Sequence, residues 1–253
     1  GKHFRAGGER AKRVALFYLD DATRYGLDVI VGPSESTRLF LHGLYALIRQ
    51  HGLPDLLYLD RGSGFISSDT LTVVQQGLGA WLIHGQARYP QGRGAVERFN
   101  RTAHDQILRA LDGAADVEAE DGALTVRLRH YLQRYNDTPH ETLGGDTPRQ
   151  RWEQGRPLRF PDDEADLYRR FVVRLPRKVS ADHVIKIDGH LWEAPRGLGG
   201  QDVEVVRHPC VQGSLVLRLH FGEDVCRRQV PQQAPQAVDV AQLQLAHLAR
   251  TEH

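Results

Sequence analysis

Strand-type and helix-type segments alternate along the first 135 residues, and this alternation is the feature that most constrains the fold. Two segments rich in β-branched and aromatic residues, VALFYLD (14–20) and LDVIVG (27–32), are bounded by turn residues and predict two strands. Strands that alternate with helices favour a layered α/β fold. The segments that follow are predicted in the order helix 36–50, strand 56–59, helix 68–78, strand 80–85, helix 94–111 and helix 123–135.

The sequence changes in character after about residue 160, where short strand-type segments separated by turns replace the helical periodicity. The hairpin VIKIDGHLWEA is the clearest of them, because Asp188-Gly189 suits a two-residue type I′ turn. Five or six such strands in a short stretch predict a small closed β-barrel. We therefore expect a core with a helical extension at 1–157, a linker at 158–166, a barrel at 167–231 and a flexible tail at 232–253.

Composition excludes several classes of protein. No apolar run is long enough for a membrane span, and no secretory signal opens the chain. The two cysteines, Cys210 and Cys226, form neither a disulfide framework nor a zinc site, so a cytosolic protein is expected. The net charge of +1 indicates no partner by itself. The chain contains no methionine, which predicts that it is an internal piece of a longer protein.

Two carboxylates are the candidate catalytic and metal-binding groups. Asp60 follows the apolar strand LLYL, which we expect to be buried on both faces, and open α/β sheets place their sites at such strand ends. Glu97 lies in the first turn of the helix predicted over 94–111. Carboxylates held close together repel each other, and a hard divalent cation, Mg²⁺ or Mn²⁺, removes that cost. Two such ions would activate an attacking oxygen and stabilise the leaving oxygen at a phosphodiester.

Each carboxylate also has a purely structural interpretation. An aspartate after a strand is often a turn residue, and a glutamate early in a helix is favoured by the helix dipole. Arginines outnumber acids around Glu97, which favours contact with a nucleic-acid backbone, although Arg101 is also spaced for an i,i+4 ion pair with Glu97. The candidate DNA-binding residues are Arg93, Arg98, Arg101 and His104.

Four blocks of the sequence together resemble a known family: YLDDATRY, LYLDRGSGF, ARYPQGRGAVERFNRT and YNDTPHETLGGDTPRQRW. In this order and spacing they look like the catalytic core of D-D-E transposases and retroviral integrases, most of all the bacterial insertion-sequence type. The segment RKVSADHVIKIDGHLWEAPRGLGGQDVEVV looks like the carboxyl-terminal barrel of phage-Mu-type transposases. The resemblance covers roughly residues 13 to 230.

The resemblance implies a ribonuclease-H-like core that cleaves and joins DNA with Mg²⁺ or Mn²⁺. Asp60 takes the place of the family's second aspartate and Glu97 that of its glutamate, while Arg101 and His104 fall where the family contacts the DNA end. The implied partners are transposon ends, target DNA and further copies of the chain assembled on DNA, in a bacterial cytoplasm. Arg61 and Gly64 depart from the family pattern, but neither replaces a metal ligand.

The family's first aspartate has no obvious counterpart. The fold requires three antiparallel strands before the first helix, and the sequence predicts only two, with residues 1–13 as a loop. We therefore expect the first strand and its aspartate upstream of Gly1, so that the chain alone is inactive. Asp20 and Asp21 are interpreted as turn residues, with Arg24 as a possible partner.

Three functional hypotheses follow. The first is a transposase or integrase fragment, the second a hydrolytic nuclease on the same fold, and the third a non-catalytic remnant that binds DNA or partner subunits. In the fourth block, Thr147-Pro148 predicts a helix start, and Tyr135, Leu143 and Trp152 are expected to pack this extension onto the core, with DNA contact by His140 or Arg149 as the alternative. A mild basic excess at 167–230 permits DNA contact or subunit docking, and is equally typical of a solvated surface.

Overall fold

The computed structural model describes residues 1–7, 11–60, 65–85, 94–114, 117–187, 189–210, 215–219 and 224–226. None of the helices in these ranges has the length and apolar character that crossing a membrane requires. The strands are β1 (Lys2–Ala6), β2 (Ala11–Leu19), β3 (Gly26–Gly32), β4 (Leu56–Leu59), β5 (Trp81–His84), β6 (Val173–Lys178), β7 (Val184–Ile187), β8 (His190–Glu193), β9 (Asp202–Arg207), β10 (Leu215–Leu219) and β11 (Asp224–Cys226). The helices are α1 (Thr37–His51), α2 (Ser68–Leu71), α3 (Gly94–Ala103), α4 (Arg109–Leu111), α5 (Asp121–Asn136), α6 (Pro148–Glu153) and α7 (Glu164–Arg170).

Three antiparallel strands, in the order β1-β2-β3, precede the first helix. The prediction of only two strands, with residues 1–13 as a loop, is therefore wrong. β1 pairs with β2 from Lys2 opposite Ala15 to Ala6 opposite Ala11. Only Phe4 and Ala6 of β1 are buried, and polar residues flank both. Two apolar residues are too few to show the alternating pattern by which a strand is recognised in a sequence. The expectation that the first strand lies upstream of Gly1 is wrong as well, because β1 is that strand, and it carries no aspartate. An aspartate upstream of Gly1 stays a prediction.

Both faces of this sheet are covered by helices. On one face, Ser36 caps α1 by accepting a hydrogen bond from the Leu39 amide (3.2 Å), and the Tyr18 hydroxyl donates to the Phe40 carbonyl (2.7 Å). On the other face, alternate β2 residues such as Ala15 and Phe17 pack in the core cluster formed with α3 and α5. The predicted α/β layering is confirmed, because odd and even residues of β2 serve opposite helical layers.

Helix α5 covers the free edge of β3 with side-chain hydrogen bonds to the strand. Asn136 accepts from the Gly26 amide (2.8 Å) and donates to the Gly26 carbonyl (2.9 Å), and the Thr125 hydroxyl accepts from the Val31 amide (3.1 Å). Between them Arg129 holds Asp28 through two contacts, of 2.7 and 2.9 Å. The helix therefore satisfies backbone groups that an edge strand would otherwise leave unpaired.

The first unit extends further along the chain than predicted. Contacts divide the chain into units 1–171 and 172–253, so the boundary follows the expected linker 158–166. Asp163 caps α7 by accepting from the Asp166 amide (2.6 Å), Leu167 is buried, and Phe171 meets Tyr45 edge to face at 5.0 Å. The predicted barrel began at residue 167, and that interpretation missed the i,i+4 apolar pair Leu167 and Phe171, which anchors α7 in the first unit.

The second unit contains an antiparallel sheet in the order β11-β10-β9-β6 and a separate hairpin of β7 and β8. The predicted hairpin is confirmed: Ile187 pairs with His190, and Gly189 has a φ of +81°, as its turn requires. Asp188 lies outside the described residues. Within the described ranges these strands pair as a sheet and a hairpin, and the closed barrel stays a prediction, as does the tail at 232–253, which lies outside them.

Replacing Arg129 by methionine should lower the free energy of unfolding by about 2–3 kcal/mol, because the buried Asp28 carboxylate would lose its charged hydrogen-bond donors. Asp28 is 4% exposed, so water cannot replace the guanidinium fully. Urea denaturation followed by circular dichroism measures the loss. The matched control is Arg127→Met, an exposed arginine on the same helix, which should change stability by less than about 0.5 kcal/mol. Equal effects of the two substitutions would contradict the assigned role of the ion pair.

Stability should fall as the pH drops from about 6.5 to about 4, because His208 is 3% exposed and burial lowers its pKa from 6.5 to about 4. Above pH 6.5 the imidazole is neutral in both the folded and the unfolded state, so it does not lower the stability. Between pH 6.5 and 4 it takes up a proton in the unfolded chain but not in the folded one, so the free energy of unfolding falls. The loss approaches about 3 kcal/mol below pH 4. Urea denaturation across this pH range should show a flatter dependence for His208→Asn, whereas replacement of the exposed His190 by Asn should leave it unchanged.

Candidate functional site

Asp60 stands at the carboxyl end of a two-stranded parallel sheet. β4 and β5 pair from Leu56 opposite Trp81 to Leu59 opposite His84, and the Gly85 amide continues the pairing to the Leu59 carbonyl at 2.9 Å. The carboxylate is exposed. We expected the strand before it, β4, to be buried on both faces. That expectation is wrong, because Leu56 is 47% exposed. Asp60 is therefore accessible at the sheet edge where the sequence predicted a site.

Glu97 occupies the first turn of α3 and is exposed. The helix is fixed two residues later by Phe99, which is buried edge to face between Phe17 (5.3 Å) and Tyr135 (4.9 Å). Phe17 belongs to β2 and Tyr135 to α5, so three elements set the position of this turn. Glu97 is thus a solvent-facing carboxylate on a rigid support.

The fit of a divalent ion to these residues depends on their number and chemistry. The part of the chain that the structure describes contains no group of three or more His, Cys, Asp or Glu side chains arranged to hold a metal. Strand β1, with the sequence KHFRA, adds no acid. Mg²⁺, however, usually keeps several waters and is bound by only one or two protein carboxylates together with substrate phosphates. Asp60 and Glu97 are exposed carboxylates, so each has the oxygen chemistry that a ligand of such a site requires.

The predicted DNA-binding cations separate into two sets. Arg101 and His104 follow Glu97 at i+4 and i+7, and all three are exposed. The alternative ion pair between Arg101 and Glu97 is absent, and the only close carboxylate partner of His104 in the described residues is Asp105, at 3.1 Å. Arg98 lies on the adjacent side of the helix, and Arg93 is outside the described residues.

The helix that carries these residues changes pitch at a π segment, His104–Leu108. The sequence predicted a buried stripe through Ala103, Ile107 and Ala110, but the buried residues are Ala103, Leu108 and Leu111. A π turn contains one additional residue, so the apolar stripe moves on by one position. For the same reason Leu108 does not continue the face of Glu97, as the helical spacing alone had indicated.

A groove between α3 and α5 was missed by the sequence reasoning. Its main cavity, of about 540 Å³, is lined by Thr102 of α3, by Gln106 of the π segment, by Arg134 and Tyr135 of α5 and by the loop residue His140. An adjoining hollow shares Thr102, Tyr135 and His140 and adds Arg24 and Arg98. We call the whole the α3–α5 groove. The missing signal was long-range: the groove exists only because Phe99 and Tyr135 bring two sequence-distant helices together.

Two tyrosines beside this groove remain uncharged. Burial raises the pKa of Tyr131 far above its ordinary value of 10, and burial likewise raises that of Tyr135. The Tyr131 hydroxyl donates to the Gln106 side-chain oxygen at 3.2 Å. Neither phenol therefore adds negative charge to the groove near neutral pH.

Asp20 and Asp21 are turn residues, as predicted. The Asp20 carboxylate accepts from the Thr23 amide (2.8 Å) and the Thr23 hydroxyl (2.6 Å). Asp21 pairs with Arg24 at 2.7 Å, and Arg24 has a φ of +62°. Both acids thus stabilise the connection between β2 and β3, and the partner proposed for Asp21 is confirmed.

The helical extension packs on the core in the predicted way. Thr147 and Gln150 form a reciprocal capping box at the start of α6, with hydrogen bonds of 3.1 and 2.8 Å. Trp152 stacks on Tyr25 at 5.2 Å. The alternative of DNA contact by Arg149 is disfavoured, because its guanidinium is held by Asp137 at 2.5 Å, and this hydrogen bond raises the pKa of Arg149 and lowers that of Asp137.

Comparisons with known proteins point to one group. No family model matches the chain. The transposase of transposon Tn552 from Staphylococcus aureus is 25% identical over 219 residues, which are 80% of this chain and 44% of that protein. A chain of the simian T-cell lymphotropic virus intasome, solved with the PP2A regulatory subunit B56 gamma, superposes with a TM-score of 0.50 at 16% identity and covers 92% of this chain and 77% of its own. The HTLV-2 integrase catalytic core domain in complex with magnesium gives a TM-score of 0.46 at 17% identity, over 59% of this chain and 89% of its own.

These similarities agree with the general resemblance of the four sequence blocks to transposases and integrases. The mixed helix and sheet fold superposes on that of an intasome chain, and the sequence is similar to a transposase. The chain spans less than half the length of the Tn552 transposase. Nothing in the comparisons bears on the phage-Mu-type barrel. The chain is therefore similar to DNA transposases in sequence and to an intasome chain in fold.

Proposed function

We propose that this chain is part of a D-D-E transposase or integrase that cleaves and joins DNA in transposition. Its substrates are transposon ends and target DNA, and it works as an assembly of several copies on DNA, in a bacterial cytoplasm. The observation that carries the proposal is the position of Asp60 at the carboxyl end of β4 and of Glu97 in the first turn of α3. These are the two positions that the sequence blocks assign to the second aspartate and the glutamate of the family.

The residues of the chain have distinct tasks in this proposal. A bound Mg²⁺ or Mn²⁺ would supply activation of the attacking oxygen and neutralisation of charge at the phosphodiester. Asp60 and Glu97 would hold it through carboxylate oxygens, and the exposed Arg101 and His104, one and two turns further along the helix, would contact the DNA backbone. Phe99 keeps Glu97 at a fixed distance from the sheet. A third carboxylate, predicted upstream of Gly1, would complete the ligand set.

Two alternatives use the same fold. A hydrolytic nuclease would need the same metal ligands but would transfer the phosphodiester only to water. A non-catalytic remnant would keep the positively charged side chains that contact DNA but would no longer bind a metal ion. The exposure of both carboxylates favours an active family member over the remnant, because neither acid is buried in a purely structural network. Pre-cut ends supplied with target DNA separate the first two, since only a transposase joins them.

Mn²⁺ should bind weakly between the two carboxylates of the chain, and NMR line broadening detects this without any catalytic assay. We expect selective broadening of the Leu59 and Val96 amide signals, lost in both Asp60→Asn and Glu97→Gln, because each carboxylate alone holds the ion poorly. Asp55→Asn, at the opposite end of β4, and Asp105→Asn, on the same helix as Glu97, are the matched controls and should keep the broadening. Broadening that survives in Asp60→Asn would contradict joint ligation.

The 253-residue chain alone should not join pre-cut ends to a plasmid above the metal-free background, because β1 brings no third acid. A longer protein with the predicted upstream aspartate should join them, and Asp60→Asn or Glu97→Gln should lower its rate by at least about 100-fold, since metal ligation contributes several kcal/mol to such a transition state. Gel analysis of joined products measures both. Efficient joining by the short chain, or hydrolysis without joining by the longer one, would overturn this assignment.

A further inference from the structure

The two adjoining hollows that make up the α3–α5 groove each present cationic side chains. Arg98 projects from α3 and Arg134 from the last turns of α5. Neither guanidinium has an ion-pair partner among the described residues, whereas Arg24 beside them is held by Asp21 at 2.7 Å. Two arginines without carboxylate partners among the described residues therefore line adjoining hollows. Planar guanidinium groups suit phosphate oxygens in particular.

The polar lining contains several free donors, although the Thr102 and Thr138 hydroxyls already donate to the Arg98 and Arg134 carbonyls, at 3.1 and 2.8 Å. The side-chain oxygen of Gln106 is occupied by the Tyr131 hydroxyl at 3.2 Å, which leaves its amide NH₂ group for a ligand. Tyr135 stays protonated because burial raises its pKa, so its hydroxyl remains able to donate. The Nδ1 atom of His140 contacts the Thr142 hydroxyl at 2.9 Å, which leaves Nε2 on the other side of the ring. Glu141 is the one acidic residue in the lining of the main cavity. Among the described lining residues, the guanidinium groups and the Gln106 amide outnumber this single acid, a balance that fits an anionic ligand.

We propose that the α3–α5 groove binds the phosphodiester backbone of a DNA strand, on the side of α3 adjacent to the Glu97 face. The inference rests on the proposed function, and it deepens it by adding a second DNA contact surface that does not include Asp60 or Glu97. Since Arg98 is the immediate neighbour of Glu97, a strand held in the groove is anchored beside the proposed metal site. Arg98 then acts through the groove rather than with Arg101 and His104.

The size of the groove agrees with a strand rather than a single anion. The groove residues run from Ala95 on α3 to Gln106 in the π segment that continues it, which corresponds to about 16 Å of helix. One strand of B-DNA carries a phosphate about every 3.4 Å along the axis, so several phosphates face this length. An acidic peptide is the competing ligand. DNA is favoured because Arg98 directly follows Glu97, the proposed DNA-processing residue, on α3.

The test is DNA affinity as a function of salt, measured with a short fluorescein-labelled duplex by fluorescence anisotropy in EDTA. Removing the metal makes the result independent of Asp60 and Glu97. Arg98→Gln and Arg134→Gln should each weaken binding several-fold and reduce the slope of log affinity against log salt by about 0.9, the value for one lost phosphate contact. Glu141→Gln should strengthen binding, because it removes a like charge from the path of the backbone. A general loss of structure cannot produce this opposite sign.

Arg38→Gln is the charge-matched control, since Arg38 is an exposed arginine on α1 and does not line the groove. It should leave the slope close to that of the unchanged chain. The unchanged chain could bind DNA while Arg98→Gln and Arg134→Gln show the same slope of log affinity against log salt as Arg38→Gln. In that case the groove assignment is wrong and the proposed function stands. If the unchanged chain does not bind DNA at low salt, the proposed function itself fails. If Arg98→Gln and Arg134→Gln alter only self-association in analytical ultracentrifugation, the groove is a protein-binding surface and the DNA assignment is overturned.

Discussion

The edge-to-face packing of Phe99 between Phe17 and Tyr135 is the interaction on which the functional surface depends. It connects the sheet through β2, the helix α3 and the helix α5 at one buried point, with ring centroids 5.3 and 4.9 Å apart. Glu97 precedes Phe99 by two residues and Arg98 by one, so the same contact places the proposed metal ligand and one wall of the α3–α5 groove. Truncation of a buried phenylalanine of this kind costs about 3–5 kcal/mol, which indicates how firmly the first turn of α3 is held.

Helix α5 has two structural tasks, and they explain why it lies where it does. Along one stripe, Thr125, Arg129 and Asn136 bond to β3 and close the open edge of the sheet. At its carboxyl end, Tyr135 meets Phe99 and Arg134 lines the groove. The hydrogen bonds to β3 fix the helix along its length. Tyr135 and Arg134 are therefore held in fixed positions beside α3. Edge protection in the fold and geometry of the candidate site therefore come from one element.

The sequence predicted those features that are encoded locally. The alternation of strands and helices, the Thr147 cap, the Asp20 turn and the 187–190 hairpin all follow from short-range chemistry, and the structure confirms them. The errors share a different cause. β1 buries only Phe4 and Ala6, too few residues to reveal a strand, and Leu167 with Phe171 anchors a helix where polar neighbours indicated a linker. The π segment at 104–108 and the α3–α5 groove depend on packing between distant elements, which periodicity does not encode.

For the candidate site, residue patterns located Asp60 and Glu97 at element ends and on the surface, but their joint action is a three-dimensional property. The most direct measurement is a crystal structure of the chain soaked in Mn²⁺, with anomalous diffraction to locate the ion. The account predicts an anomalous peak with one oxygen of Asp60 and one of Glu97 each about 2.1 Å away, the distance usual for small hard divalent ions. A structure in which the two carboxylates face apart and any bound manganese lies elsewhere would contradict it.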